Sequence, residues 1–248
     1  MHTPTVQPKS SPGFTGAHLK LIAVFAMLLD HIGAVILEPG CLIPMLQNTS
    51  GSLSSAQLII YNADMVLRSF IGRAAFPIFA FLLTEGFVHT RSRARYLGRL
   101  LIFAFVSEIP FDLALRGKLL DFSYQNVFFT LAAAFAALTA MEYFSKHRIL
   151  RFLPPVLAGV LCILLRTDYS WMGILTVTVL YIFRQNRLRQ TIAGCITLLW
   201  EPTACLAFLF IYRYNGERGR TMKYAFYLFY PVHLLVLTLL RVLIFGVL

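Results

Sequence analysis

Long apolar runs recur along this chain, and short polar segments rich in arginine and lysine separate them. A helix needs roughly 17–25 residues to cross the hydrocarbon core of a bilayer, so these runs predict about eight membrane-spanning helices. The predicted spans are residues 18–38, 66–88, 97–115, 124–143, 149–165, 170–184, 191–212 and 224–247. The sixth is short, and Glu201-Pro202 interrupts the seventh. The pattern therefore predicts an all-α fold, a polytopic integral membrane helix bundle.

The polar remainder leaves no room for a soluble domain. Residues 1–17 contain three prolines and several hydroxyl side chains, a composition typical of a flexible tail. Residues 18–248 then form a single transmembrane domain, in which residues 39–60 are the one sizeable loop. Neither a repeat nor a soluble-enzyme motif such as a P-loop or a GxSxG sequence is evident.

Composition agrees with a membrane location. Hydrophobic residues make up 58% of the chain and charged residues 13%, against about 25% charged residues in soluble domains. The formal charge of +11 would suit nucleic acid, but the basic residues lie between apolar runs, where they encode membrane orientation. We therefore expect the lipid bilayer, and no nucleic acid, as a partner. The four cysteines form no CxxC pair, and we expect no metal.

The basic segments also predict an orientation in the membrane. Segments 91–99, 146–151 and 184–189 fall on one side of an eight-span bundle, and the positive-inside rule assigns that side to the cytoplasm. Both termini would then be cytoplasmic. The basic segment 213–223 would face outward as an exception. Either that segment is basic for a functional reason, or the span count is wrong by one.

Ionisable side chains inside the spans are costly, and each is a functional candidate. Lys20 and His31 are eleven residues apart, three helical turns, so they share a face, with His31 about 16 Å beyond Lys20 near the membrane midplane. A histidine there can act as a general base, or it can be a structural histidine bonded to a neighbouring helix. The Asp30 side chain points about 100° away, so we expect it to meet an arginine on another helix.

The second and third spans add carboxylates to the candidate site. Glu85 lies four residues before His89, and Glu108 lies four before Asp112, around Pro110. Carboxylates four residues apart repel unless a cation or a proton intervenes, so we expect arginine partners. The arginines considered as partners are Arg73, Arg95 and Arg99.

An arginine stripe and a second histidine are the remaining candidate features. Arg91, Arg95 and Arg99 would form a stripe at the cytoplasmic mouth, suited to the phosphates of a nucleotide-derived donor such as coenzyme A. The alternative is a topology signal that also contacts anionic lipid. His233, three residues after Tyr230 in the last span, is a second midplane candidate that could equally be structural.

Several stretches resemble the TraX family, whose namesake is the conjugative pilin N-acetylase. The matching stretches are LKLIAVFAMLLDHIG (19–33), IGRAAFPIFAFLLTEGF (71–87), RLLIFAFVSEIPFDLAL (99–115), NVFFTL (126–131), DYSWMGIL (168–175) and KYAFYLFYPVHLLVL (223–237). The TEGF and SEIPFD sequences resemble the chromosomal branch of the family more than the plasmid pilin enzyme. The spacing of Lys20 and His31 also resembles the wider group of transmembrane acyltransferases, which usually have arginine at the first position.

The resemblance implies acetyl transfer from cytoplasmic acetyl-coenzyme A, as co-substrate, to an amine or hydroxyl acceptor such as a pilin-like peptide or a cell-envelope component. On this hypothesis, the catalytic residues are His31, Asp30 and Glu85; the donor-binding residues are Lys20, Arg73, Arg95 and Arg99; and the supporting residues are Glu108, Asp112, Asn126, Tyr230 and His233. Two alternatives stay open: a secondary transporter or proton-coupled carrier, and a non-catalytic membrane scaffold.

Overall fold

A computed structural model of the chain describes residues 12–48, 53–219 and 223–247. These residues form helices and short connections, without β-strands. In order, the helices are α1 (Gly16–Gln47), α2 (Ser55–His89), α3 (Arg93–Arg116), α4 (Val127–Tyr143), α5 (Leu150–Leu164), α6 (Ser170–Ile182), α7 (Arg187–Thr197), α8 (Pro202–Tyr212) and α9 (Lys223–Phe245). The predicted all-α membrane bundle is confirmed.

Apolar surface and helix length both fit a bilayer. By length and composition α1, α2 and the part of α9 from Ala225 onward are able to cross a membrane. Large apolar side chains such as Ile102 and Phe105 stay more than half exposed on the outside of the bundle. A soluble protein would bury such a continuous apolar surface, whereas lipid covers it in a membrane protein.

The predicted loop at residues 39–60 is wrong over most of its length. The first helix continues through Gly33–Leu42 in a wider π-helical form, which accommodates Pro39 instead of ending the helix. Ser54 caps α2 by accepting the backbone N–H of Gln57. The predicted tail, residues 1–17, lies mostly outside the described residues, and α1 begins at Gly16.

The seventh predicted span is a helical hairpin rather than one interrupted helix. Helices α7 and α8 run antiparallel, with Gly194 packed against the Phe208 ring and the Cys205 thiol 3.6 Å from the carbonyl oxygen of Cys195. The chain turns between them, where Pro202 cannot donate a backbone hydrogen bond to continue α7. The described residues therefore form nine helices where the sequence predicted eight spans, and the α7–α8 hairpin returns the chain to the end of the bundle from which it entered.

The first and last helices run in the same direction. Near their starts, the Lys20 ammonium lies 5.6 Å from the centre of the Phe226 ring. Half-way along, His31 meets His233, and further on Arg241 donates to the backbone of α1. The start of α1 and the end of α9 consequently lie at opposite ends of the bundle. The eight-span prediction, which put the start of the first span and the end of the last on one side, is therefore wrong, because it counted the α7–α8 hairpin as a single crossing; residues 1–11 and 248 lie outside the described residues.

The α7–α8 hairpin also changes the side on which the basic segment 213–223 lies. The backbone N–H of Phe14 donates to the carbonyl of Arg213 (2.9 Å), and that of Gly16 donates to Glu217 (2.8 Å), so the α8–α9 connection lies beside the start of α1. We call this end of the bundle the basic face and the other end the distal face. The connections at the basic face carry Arg91, Lys146, Arg148, Arg184, Arg213 and Arg218. The distal connections carry fewer basic residues, among them Lys118 and Arg166, and segment 213–223 no longer conflicts with the positive-inside rule.

Unequal helix lengths leave a depression on the distal side. Helix α1 contains 32 residues, about 48 Å, whereas α4 to α8 contain between 11 and 17 residues each. The α5–α6 and α7–α8 connections therefore end level with the middle of α2. There the Tyr169 ring stacks on Phe76 at 3.7 Å, and Glu201 pairs with Arg73.

Single cysteines in a background lacking the native four will distinguish a chain that turns back at the α7–α8 hairpin from one that crosses the membrane there. We expect an impermeant thiol reagent added to intact cells to label Ser54→Cys and Val247→Cys, and to leave Ser92→Cys and Glu217→Cys unlabelled until the cells are permeabilised. The eight-pass arrangement reverses the results for Glu217→Cys and Val247→Cys. Labelling of Glu217→Cys in intact cells, or protection of Val247→Cys, contradicts the hairpin arrangement.

Candidate functional site

Two histidines meet in the middle of the bundle. Nδ1 of His31 on α1 lies 2.6 Å from Nε2 of His233 on α9, and both side chains are buried. Tyr230 approaches both rings edge-on, with centroid distances of 5.9 and 5.8 Å. The sequence predicted all three residues as site candidates, but it gave no sign that the two histidines bond to each other.

Asp30 faces a different helix, as its position on α1 predicted. Its Oδ1 lies 3.9 Å from Nε of Arg68 on α2, whose guanidinium also bonds Glu38. The helices approach closely at two glycines: a Cβ on Gly72 would lie 2.6 Å from Asp30, and one on Gly33 would lie 2.4 Å from Arg68. Arg68 was not predicted as a site residue, although an arginine within a predicted span was a signal for it.

An open cleft on the distal side is lined by residues of α2 and of the α5–α6 and α7–α8 connections. Its volume is about 570 Å³, within the range of small-ligand sites. Arg73 lies in its wall, 3.3 Å from Glu201 and hydrogen-bonded to Tyr169. Asp168 accepts a hydrogen bond from the Tyr124 hydroxyl at 3.1 Å. The remaining lining residues are Ile163, Arg166, Thr167, Ser170, Trp171, Met172 and Trp200.

Glu108 and Asn126 fasten the start of α4 to α3. Glu108 accepts from the side-chain amide of Asn126, and the same amide donates to the carbonyl of Ala104 at 2.8 Å. The Asn126 carbonyl in turn caps α4 by accepting the N–H of Phe128. The expected arginine partner for Glu108 is therefore wrong. Arg73 pairs with Glu201, and Arg99 and Arg95 lie about two and a half and three and a half turns before Glu108 on the same helix.

Asp112 likewise has a backbone partner instead of an arginine. It accepts the N–H of Asp121 at 2.7 Å in the α3–α4 connection. Hydrogen bonds from Ser123 and Lys118 hold the pKa of Asp121 at about 2, so that carboxylate stays charged and keeps the connection folded. Just beyond Asp112, the carbonyls of Leu113 and Ala114 accept from the buried Arg241, which the sequence analysis did not single out.

Cations without carboxylate partners gather at the basic face. The guanidinium of Arg99 lies 5.4 Å from the Tyr96 ring, and Arg218 is a charged neighbour of both Lys20 and Tyr96. Among the described residues no salt bridge reaches Lys20, Arg99 or Arg218, whereas Arg93 lies 3.9 Å from a carboxylate. We call Lys20, Arg99 and Arg218 the basic cluster. Arg218 was missed as a site residue because the eight-span prediction put it on the other side.

The predicted stripe of three arginines is not continuous on one helix. Helix α3 begins at Arg93, where Ser92 caps it, so Arg91 lies in the connection before the helix. Arg95 lies exposed in the first turn of α3. Of the stripe, only Arg99 joins the basic cluster.

Glu85 lies at the basic face, away from the histidine pair. It is 3.8 Å from His89 on the same helix, forms a hydrogen bond with Tyr214, and has Arg187 as a charged neighbour. Thirteen residues, roughly 20 Å of helix, separate it from Gly72, the residue that touches Asp30. The structure therefore does not bring Glu85 together with His31 and Asp30.

Comparison with known proteins identifies the family of this chain. A family model described as TraX protein matches residues 15–241. A curated relative, the probable fimbrial assembly protein FimC of serogroup H1 from Dichelobacter nodosus, is 29% identical over 256 aligned positions, which cover 90% of this chain and 94% of that protein. No solved structure matches. Because the family model includes nearly all of the bundle and both buried histidines, the chain belongs to the TraX family.

Proposed function

We propose that this protein is a membrane-embedded acyltransferase that moves an acetyl group from acetyl-coenzyme A to an amine. The observation that carries the proposal is the buried pair of His31 and His233, which lies between an unpaired basic cluster and an open cleft. The donor would arrive at the basic face and the acceptor at the cleft. The similarity to a fimbrial assembly protein supports a pilin-like subunit as the acceptor, and a hydroxyl acceptor would use the same chemistry.

The basic cluster suits the phosphates of the donor. Three cations without carboxylate partners favour an anion, and guanidinium groups bind phosphate in a planar, two-pronged geometry. Lys20 is eleven residues before His31, which corresponds to about 16 Å along α1. A coenzyme A held by its phosphates at Lys20 would extend its pantetheine arm along α1 toward the histidines.

Aromatic rings of α3, α4 and α9 pack together between the levels of the basic cluster and of the histidines. Tyr227 stacks on Phe103 at 5.0 Å and on Phe128 at 6.1 Å, and Phe128 contacts Tyr230 edge-on at 5.3 Å. Such a layer separates the histidine pair from water at the basic face. Excluding water protects the thioester from hydrolysis and strengthens electrostatic interactions at the reacting atoms.

The chemistry needs one base and a short path for one proton. The acceptor nitrogen attacks the thioester carbonyl carbon while His31 takes a proton from that nitrogen. The carbon–sulfur bond breaks, coenzyme A leaves as a thiolate, and the imidazolium returns the proton to the sulfur. The products are an acetyl amide and free coenzyme A, so no metal or oxidant is required. Arg73, with Glu201 and Asp168 in the cleft wall, would orient the acceptor.

The first prediction tests His31 as the base. We expect His31→Ala to lower kcat for acetyl transfer by roughly 10²-fold or more, because no other group would accept the proton from the acceptor. The measurement is transfer of labelled acetyl from acetyl-coenzyme A by purified protein in detergent. His147→Ala, which changes an exposed histidine at the basic face, is the matched control and should keep wild-type activity.

Wild-type activity of a folded His31→Ala protein would remove His31 from the mechanism. If neither donor hydrolysis nor acceptor labelling occurs in wild-type protein, and reconstituted vesicles instead show ion-coupled uptake, the carrier function replaces the transferase.

The second prediction tests the basic cluster as the donor site. We expect Arg99→Ala and Arg218→Ala each to raise KM for acetyl-coenzyme A about tenfold with little change in kcat, because each removes a charge-assisted contact to phosphate. Added salt should raise the wild-type KM and affect the variants less. Arg148→Ala, an exposed arginine at the same face, is the control.

An unchanged KM for both cluster variants would contradict the donor site. Loss of protein from the membrane, with normal KM in the fraction that inserts, would show that these arginines serve only orientation.

A further inference from the structure

We propose that His233 is a positioning residue that fixes the tautomer of His31, so that Nε2 of His31 is the basic nitrogen. The direction of the hydrogen bonds follows from the geometry and the burial of the pair, whereas the catalytic consequence rests on the proposed transferase function. The chain of contacts runs from a backbone carbonyl through both imidazoles.

The first step concerns His233. Its Nδ1 lies 2.6 Å from the carbonyl oxygen of Phe229, one turn earlier on α9. A carbonyl oxygen can only accept, so Nδ1 of His233 carries the hydrogen. The ring is held in this orientation because the Phe229 ring stacks on it, at 4.6 Å and 13°, and Tyr230 packs against its edge.

The second step concerns the charge of the pair. Both side chains are buried, at 8% and 6% exposed, and in the described parts of the chain no salt bridge joins His31 or His233 to a carboxylate. The nearest acid in sequence, Asp30, faces Arg68 instead. Because an unpaired charge is costly in such surroundings, both imidazoles are neutral at rest.

The third step passes the constraint to His31. A neutral imidazole with its hydrogen on Nδ1 has a lone pair on Nε2, so Nε2 of His233 accepts. The group 2.6 Å away, Nδ1 of His31, must therefore donate and carry a hydrogen. The lone pair of His31 then lies on Nε2, for which the described residues provide no hydrogen-bond partner. This is the nitrogen available to the acceptor.

The arrangement parallels a catalytic triad with a neutral imidazole in place of the carboxylate. When Nε2 of His31 takes a proton, its Nδ1–H becomes a charge-assisted donor to His233, a bond about twice as strong as the resting one. His233 thus stabilises the imidazolium during transfer. A neutral partner also spares the bundle a second buried carboxylate beside the pair.

The decisive measurement is ¹⁵N NMR of protein labelled at its histidine rings, reconstituted in lipid, with signals assigned through the single variants. We expect His31 to show the tautomer protonated at Nδ1, and His233→Leu to convert it to the Nε2-protonated form that imidazoles prefer in water. A His31 signal from an Nε2-protonated ring in wild-type protein overturns the inference, whether or not the protein transfers acetyl groups.

The rate of acetyl transfer by His233 variants is the second test of the positioning role. His233→Gln places an amide oxygen near the former Nε2 and can accept the same hydrogen bond, so we expect it to stay within tenfold of wild-type kcat, whereas His233→Leu loses roughly 10²-fold with KM for the donor unchanged. Thr238→Val, about one turn further along α9, is the matched control for changes to this helix. Equal kcat values for His233→Leu and wild type contradict the positioning role. If the tautomer result holds in a protein with no transferase activity, the proposed function alone fails.

Discussion

A polar side chain at bilayer depth has no water to bond, so it must find its partner on another helix. Three such contacts fix the centre of this bundle: His31 with His233 joins α1 to α9, Asp30 with Arg68 joins α1 to α2, and Arg73 with Glu201 joins α2 to the turn before α8. Each unsatisfied group would cost several kcal/mol in hydrocarbon, on the order of a large share of a protein's net stability. These contacts therefore set the depth of each helix relative to its neighbours. Apolar packing does not set this depth, because it is similar along the whole length of a lipid-facing helix.

The rest of the architecture follows from that alignment. Because α9 meets α1 at the level of the histidines and runs parallel to it, the α8–α9 connection lies at the same face as the other arginine-rich connections, beside the start of α1. Because Glu201 and Tyr169 meet α2 at its middle, the short helices end there and leave the cleft open on the distal side. The same contacts thus produce an unpaired basic cluster at one end and an open cleft toward the other. An enzyme that joins a cytoplasmic donor to an acceptor from outside requires this arrangement.

Much of this could be predicted from the sequence, because bilayer thickness and helix geometry act on local residues. The all-α membrane bundle, the shared face of Lys20 and His31 and the need of Asp30 for an arginine all followed from the spacing of apolar and ionisable residues. The number of helices could not be predicted, because the α7–α8 hairpin has the length and hydrophobicity of one span. Contacts between the two helices, such as Gly194 with Phe208, show that the chain reverses. The identity of the partners could not be predicted either. Glu108 takes Asn126, and Arg99 and Arg218 are both charged neighbours of Tyr96, because three-dimensional packing rather than position along one helix sets these contacts.

The central claim is that donor and acceptor reach the histidine pair from opposite faces of one bundle. Transfer in proteoliposomes tests this most directly: protein is inserted with the basic face outward, acetyl-coenzyme A is added outside, and an amine-bearing acceptor peptide is enclosed in the lumen. We predict acetylated peptide inside the vesicles, none with His31→Ala protein, and no entry of coenzyme A into the lumen. Acetylation that occurs only when donor and acceptor share one compartment would contradict the claim.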